Sequence, residues 1–299
     1  MFLDIHAHMY KYPYPISYDK EKDQFRLVFP NGEELIKLHD ELGIDRAVIL
    51  PLVSSEEYVP QSVGEVIEFC NQSNGRFIPF CSLDPRVLQN RNDTELGFLI
   101  DFYKRQGCKG MGEVLPNMEF KDPKMQNLFH HCEKAQLPLL FDCSAMDGVS
   151  YGIYDDPGLP QLRASLEKFP NLVFIGHGPA FWAELGTLSE GANRCTYQET
   201  PIEKEGAVVE LMRNYTNLWV DLSARSGYSA MMRDIDFARV FMNEFSDRIM
   251  FGTDICFAEK PKTILIDLLN EFRADGTLND EKYEAITHKN AERLLNLNE

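Results

Sequence analysis

FLDIHAH, residues 2–8, is an apolar, β-rich run that carries two histidines one residue apart. Side chains two apart on a strand share a face, so His6 and His8 are expected to leave the end of a first strand together, toward one point. Imidazole is the commonest metal ligand among side chains and a preferred nitrogen donor for zinc. The pair is therefore a candidate metal site, with two imidazoles satisfied by backbone carbonyls as the alternative. Two histidines do not complete a tetrahedral site, so further donors must come from elsewhere in the chain.

Working outward, runs of the same kind recur: DRAVILPL (45–52), RFIPFCSLDP (76–85), CKGMGEV (108–114), LPLLFDCS (137–144), LVFIGHG (172–178), LWVDLSA (218–224) and RIMFGTD (248–254). With the first, that makes eight strands, separated by stretches of helical spacing such as EELIKLHDELG, TELGFLIDFYKRQG and MQNLFHHCEKAQ. Near-continuous apolar strands are those covered on both faces, as in a parallel sheet wrapped by helices. Eight such units fit an α/β fold of the (β/α)8 TIM-barrel type, for which about 250 residues is usual. No low-complexity linker or charge block divides the chain, so residues 1–299 read as a single domain. The closing KYEAITHKNAERLLNL is expected to be a helix packed on the outside or bottom of the barrel. Segments 9–32 and 179–206 are longer than connectors need to be and follow the first and sixth strands. Barrel enzymes build their sites at that end, so both segments are candidate lids, with subunit contact as the other reading.

Polar groups recur where strands meet their loops: Glu113 on the fourth, Asp142 on the fifth, His177 on the sixth and Asp254 on the eighth. Together with DIHAH, the stretches FPNLVFIGHGPAFW, RIMFGTD and ITHKNAERLL resemble the amidohydrolase superfamily. Within it they resemble the amidohydrolase-related branch that includes aminocarboxymuconate-semialdehyde decarboxylase. The resemblance implies that His6, His8 and Asp254 hold a divalent metal, that Asp254 also shuttles a proton, and that His177 polarises the substrate or stabilises an oxyanion. The chemistry is coherent, because a bound metal lowers the pKa of its water to about 7 and a neighbouring carboxylate can take the proton.

Two positions complicate that pattern. Relatives usually carry a metal-binding histidine on strand five, where this chain has Asp142. A carboxylate there leaves Zn2+ as the expected ion but moves the preference toward Mn2+ or Mg2+, and a loop-capping role is the alternative. Glu113 resembles the bridging glutamate of TatD-like nucleases, so one or two ions are both admissible; substrate binding or a pair with Arg225 is the competing role. Arg225, just after strand seven, could grip a substrate carboxylate bidentately or form a loop salt bridge. His39, His130, His131 and His288 lie in helical stretches and read as surface or packing residues.

A net charge of −17 repels phosphate backbones and anionic membranes, which argues against nucleic-acid and membrane partners and against nuclease activity. The seven cysteines form no CxxC pair, so they read as small core residues in a reducing cytoplasm. No basic leader or membrane span is evident. The resemblance implies a homo-oligomer, a dimer in the simplest case. The leading functional reading is a metal-dependent hydrolase of a small-molecule amide, ester or lactone-like bond. The alternative is a metal-dependent decarboxylase of an aromatic or unsaturated acid, and a barrel that has lost its chemistry is the third.

Overall fold

The computed structural model describes residues 1–54, 56, 60–146, 151–189, 191–257 and 264–297. Within them the chain forms a (β/α)8 barrel whose strands run in sequence order. They are β1 (Leu3–Ala7), β2 (Arg46–Ile49), β3 (Phe77–Pro79), β4 (Met111–Val114), β5 (Leu139–Ser144), β6 (Phe174–His177), β7 (Leu218–Asp221) and β8 (Ile249–Met250). All neighbours pair parallel, in one path β1–β2–β3 and a second β4–β5–β6–β7–β8. Two seams join the paths into a ring. Cys81, just past β3, bridges Met111 of β4, and the amides of Ile5 and Asp254 donate to Phe251 and His6 carbonyls at 3.0 and 2.8 Å. The last predicted strand is thus regular only over Ile249–Met250, and the GTD segment follows β1 through single hydrogen bonds.

Inside the ring, Leu3, Ile5, Val48, Leu50, Phe80, Leu140, Ile175 and Trp219 interlock in one buried cluster. Ala7, by contrast, belongs to a cluster outside the ring with Leu35, Ala47, Ile49 and Val66. Strict alternation would keep Ala7 on the face of Leu3 and Ile5, so the strand is re-phased on the way. The β1–β2 register shifts between Asp4 and Ala7, a bulge of the kind that re-aims a side chain. Asp4 stays outside against His39 of the helix Gly32–Leu42, whereas His6 and His8 turn into the barrel mouth. The β4–β5 register also shifts, between Met111 and Val114. Both of those residues pack in the outer core, while Glu113 between them reaches the mouth.

The first helix, Gly32–Leu42, opens with a capping box of Asn31 and Glu34 and closes on Gly43 at φ +69°. Gly97–Arg105 and Pro123–Ala135 occupy the other two stretches with helical spacing. The C-terminal segment is helical from Asp280 to Leu294, with a π-helical turn at Ala285–Lys289. It closes the bottom of the barrel: Ala291 and Leu295 join the inner cluster, and Asn290 Nδ2 donates to the Ser246 and Ile249 carbonyls. Segment 9–32 contains an antiparallel hairpin, Tyr14–Asp19 with Gln24–Val28. Segment 179–206, whose residue 190 lies outside the described residues, starts as the helix Pro179–Ala183. Among the described residues no helix is long and apolar enough to cross a membrane.

Candidate active site

The side chains at the strand ends converge at the barrel mouth. His6 Nε2 and His8 Nε2 lie 2.9 Å apart, Glu113 Oε2 is 3.4 Å from each, and Asp254 Oδ1 is 3.7 and 3.5 Å from them. On the other side, His177 Nε2 is 3.9 Å from Asp254 Oδ2 and 4.0 Å from Asp142 Oδ2. Asp142 and His177 are register partners across β5 and β6, which is why they face the mouth together. Among the described residues, three overlapping groups have ligand atoms close enough for an ion: His6–His8–Glu113, His6–His177–Asp254 and Glu113–Asp142–His177.

The protonation pattern tests whether a cation fits. His6 Nδ1 is 2.7 Å from Asp221 Oδ2, and His8 Nδ1 is 2.8 Å from the Leu50 carbonyl. Both partners can only accept, so each Nδ1 carries a proton, and each imidazole when neutral turns an Nε2 lone pair inward. Two lone pairs 2.9 Å apart, faced by two carboxylates, repel unless positive charge lies among them. That donor set suits a divalent ion, with the outer hydrogen bonds fixing each imidazole as metal sites require. The same field acts on protons. Burial opposes charge on His6, but Asp254, Glu113 and Asp221 hold its pKa well above the ordinary imidazole value. Burial would raise Glu113, yet His6, His8 and His177 keep it well below the usual carboxylate range.

Local backbone shape serves the same end. Asp254 sits at φ +49°, Ala224 at +61° and Phe29 at +61°, and all three line the cavity. Non-glycine residues held in the left-handed region gather at functional sites. A Cβ on Gly178 (φ +97°) would lie 2.6 Å from Asp142 Oδ1, so only glycine lets that carboxylate settle. The cavity, about 100 Å3, is walled by Phe29 from the hairpin segment and by Pro179 and Tyr197 from the second long loop, with Leu52, Leu115 and Tyr151. A larger groove of about 550 Å3 lies on the barrel flank near Pro123 and Lys168, away from all of these donors.

The remaining sequence expectations fall as follows. Arg225 is exposed, its guanidinium 4.7 Å from the centre of the Tyr197 ring, beside the cavity rather than in its lining. Glu113 contacts His6 and His8 rather than Arg225. His39 is a buried packing residue against Asp4. The cysteines are not uniformly core residues: Cys195 is exposed and Cys256 lines the cavity, its Sγ 3.3 Å from Asp254 Oδ1. Asp221 was missed. It ends β7 as His177 ends β6, and that shared position was the available signal.

A sequence model of one family, described as amidohydrolase, matches residues 114–297. No curated protein matches the chain. Among solved structures, an uncharacterised TIM-barrel protein from Bordetella bronchiseptica superposes with a TM-score of 0.62 at 16% identity, covering 99% of this chain and 98% of the other. A putative 2-pyrone-4,6-dicarboxylic acid hydrolase from Pseudomonas putida gives 0.59 at 15% identity over 100% and 98%. A 2,6-dihydroxybenzoate decarboxylase from Rhizobium gives 0.59 at 16% over 100% and 98%. At such identities the likeness speaks for the fold.

Proposed function

Because the chain belongs to the amidohydrolase family, whose members generally work with a divalent metal, we propose that it is a metal-dependent hydrolase of a small molecule with an amide, ester or lactone-like bond. His6, His8, Glu113 and Asp254 would hold the ion, with Asp142 and His177 available to a second. Zn2+ is the ion proposed first, since imidazole supplies half of that primary donor set. When bound, such an ion supplies Lewis acidity and brings a water's pKa down to about 7. Asp254 is the most open of the acidic groups, its side chain 16% exposed against 7% for Glu113. It accepts the proton of the attacking water and returns it to the leaving group. His177, bonded to Asp221 through Nδ1, presents Nε2 to the cavity. In its protonated form, whose charge Asp221 offsets, it donates to the substrate carbonyl oxygen and stabilises the charge that develops there.

One observation carries hydrolysis over decarboxylation. Glu113, Asp142 and Asp254 line the cavity, and no lysine or arginine does among the described residues. An anionic acid would enter against that charge, whereas a neutral amide or ester would not. The decarboxylase reading draws on Arg225, which lies outside the lining and stacks on Tyr197. The test is turnover of Zn2+- and Mn2+-loaded protein on panels of neutral amides, esters and lactones, beside CO2 release from aromatic acids. Hydrolysis that falls by about 10²–10⁴-fold in Asp254→Asn is expected of a lost general base. Metal-dependent CO2 release with no hydrolysis overturns the reading.

A further inference from the structure

Asp221 is fully buried at the end of β7 and, among the described residues, belongs to none of the convergent groups that could take an ion. Its Oδ2 nevertheless accepts from His6 Nδ1 and from Ser223 Oγ, each at 2.7 Å, and lies 3.0 Å from His177 Nδ1. His177 Nδ1 is also 3.2 Å from Ser223 Oγ, and because that hydroxyl spends its proton on Asp221 it can only accept from the ring. Oδ1 takes the Ser223 amide at 2.8 Å. The two imidazoles, 4.5 Å apart between ring centres, are therefore oriented by one carboxylate, His177 with the Ser223 hydroxyl beside it. Gly252 leaves room for it, since a Cβ there would stand 2.7 Å from Oδ1. The glycine of the GTD motif thus has its reason in the neighbouring strand.

We infer that Asp221 is a positioning residue that sets the tautomer of two histidines at once, turning the Nε2 of His6 to the cation site and the Nε2 of His177 to the substrate. The inference rests on the proposed metal-dependent reading for the roles of those two nitrogens, but the hydrogen bonds that carry it do not. An acceptor-only carboxylate demands Nδ1–H from both rings whether they are neutral or protonated. Asparagine of the same shape cannot do this. With its oxygen in the Oδ2 position, its NH2 meets the Ser223 amide donor to donor; with its nitrogen there, both rings must give up Nδ1–H. Outer-shell partners of ligand histidines change metal affinity by about 10–100-fold when removed, and here one substitution also reaches a histidine on a different strand.

The experiment compares wild type, Asp221→Asn and Ser223→Ala in two measurements. Nitrogen-15 NMR of histidine-labelled, metal-free protein reads each ring's tautomer, with assignment by His6→Ala and His177→Ala. Zn2+ affinity is read by competition with a chromogenic chelator. Wild type is expected to show Nδ1–H on both His6 and His177, with slowly exchanging protons far downfield. Asp221→Asn should move at least one ring to the Nε2–H form and weaken Zn2+ binding by 10–100-fold. Ser223→Ala keeps the carboxylate and should leave both tautomers in place, which separates the proposal from a general packing effect. Wild-type rings that carry a proton on Nε2 and none on Nδ1 overturn the inference even if the Asn variant fails to fold, as does an Asp221→Asn protein with unchanged tautomers and affinity. Should wild type bind no divalent ion, the metal-dependent reading falls, while the NMR arm still decides the role of Asp221.

Discussion

The contact of Asp142 with Gly178 shows how tightly single residues are specified. Gly178 lies at φ +97° and ψ +162°, a region only glycine occupies cheaply, costing another residue about 1–3 kcal/mol. Its missing Cβ also leaves the space that the Asp142 carboxylate fills. Gly178→Ala is therefore expected to lose at least that much stability and to abolish activity by displacing Asp142. Urea unfolding of the double-mutant cycle with Asp142→Ala separates the two causes. The steric part disappears in the double variant and the backbone part remains, so strictly additive losses would contradict the contact. At this scale the sequence was informative for donors and silent on their supports. His6, His8, His177 and Asp254 announced themselves because charged and imidazole groups stand out at the ends of apolar runs. Asp221 stood in the same kind of place but had no partner in sequence to give it meaning, since His6 is 215 positions away. The bulge in β1 was equally silent. The two histidines were expected to share a face, but which face depended on a re-phasing that one-residue alternation does not encode.

Elements impose constraints that no single site residue reveals, and the helix Pro160–Lys168 is the clearest. Its own N-cap position is Leu159, at φ +53°, with no side-chain hydrogen bond. Asp155 supplies the cap from further back: its carboxylate accepts from the amides of Gln161 and Leu162, and from Asp156. Arg194 of the second long loop donates to the Asp155 carbonyl and meets Glu184 at 2.9 Å, so one buried knot ties helix, loop and the residues behind the cavity wall. Asp155→Asn keeps the shape but leaves one oxygen's worth of amides unpaired, and a loss of about 1–3 kcal/mol is expected at neutral pH. The pH dependence has a definite sign. Burial pushes the Asp155 pKa up to about 6 despite the amides that favour the anion. A carboxyl whose folded pKa exceeds its unfolded value stabilises the fold in its protonated form. That contribution is complete below about pH 4 and is lost as pH rises through about 6. The stability gap between wild type and Asp155→Asn should thus be wider at pH 4.5 than at pH 7.5 in urea titrations. A flat or inverted difference would remove the buried carboxyl from the account.

For the molecule as a whole, eight strands were legible because parallel strands covered on both faces lose polar alternation and read as short apolar blocks. What the sequence left open was closure. The ring is completed at Cys81–Met111 and at Ile5–Phe251 by a few hydrogen bonds, and nothing local marks those residues as partners. Asp4 strengthens the second seam, accepting from the Thr253 amide and the Thr253 hydroxyl. The candidate cation site lies just above this seam and draws on β1, on the C-terminal ends of β4, β5 and β6, and on the segment after β8. A cation bound there links the first strand to the last and relieves repulsion among carboxylates in a chain of net charge −17. Binding to the folded state alone adds about 2.7 kcal/mol at a hundredfold excess over the dissociation constant. For a chain of this size that is a rise of roughly 4–5 °C in the unfolding midpoint. Thermal scans of chelator-treated protein should therefore show a step upward on adding micromolar Zn2+ or Mn2+. Sodium chloride at matched ionic strength should not reproduce it, because screening a diffuse charge is not the same as filling a site. His6→Ala should lose the step while keeping any response to salt. A midpoint indifferent to chelation, or a His6→Ala protein that responds like wild type, would mean that the convergent donors act as a buried hydrogen-bonded cluster and that the barrel's closure owes nothing to a metal.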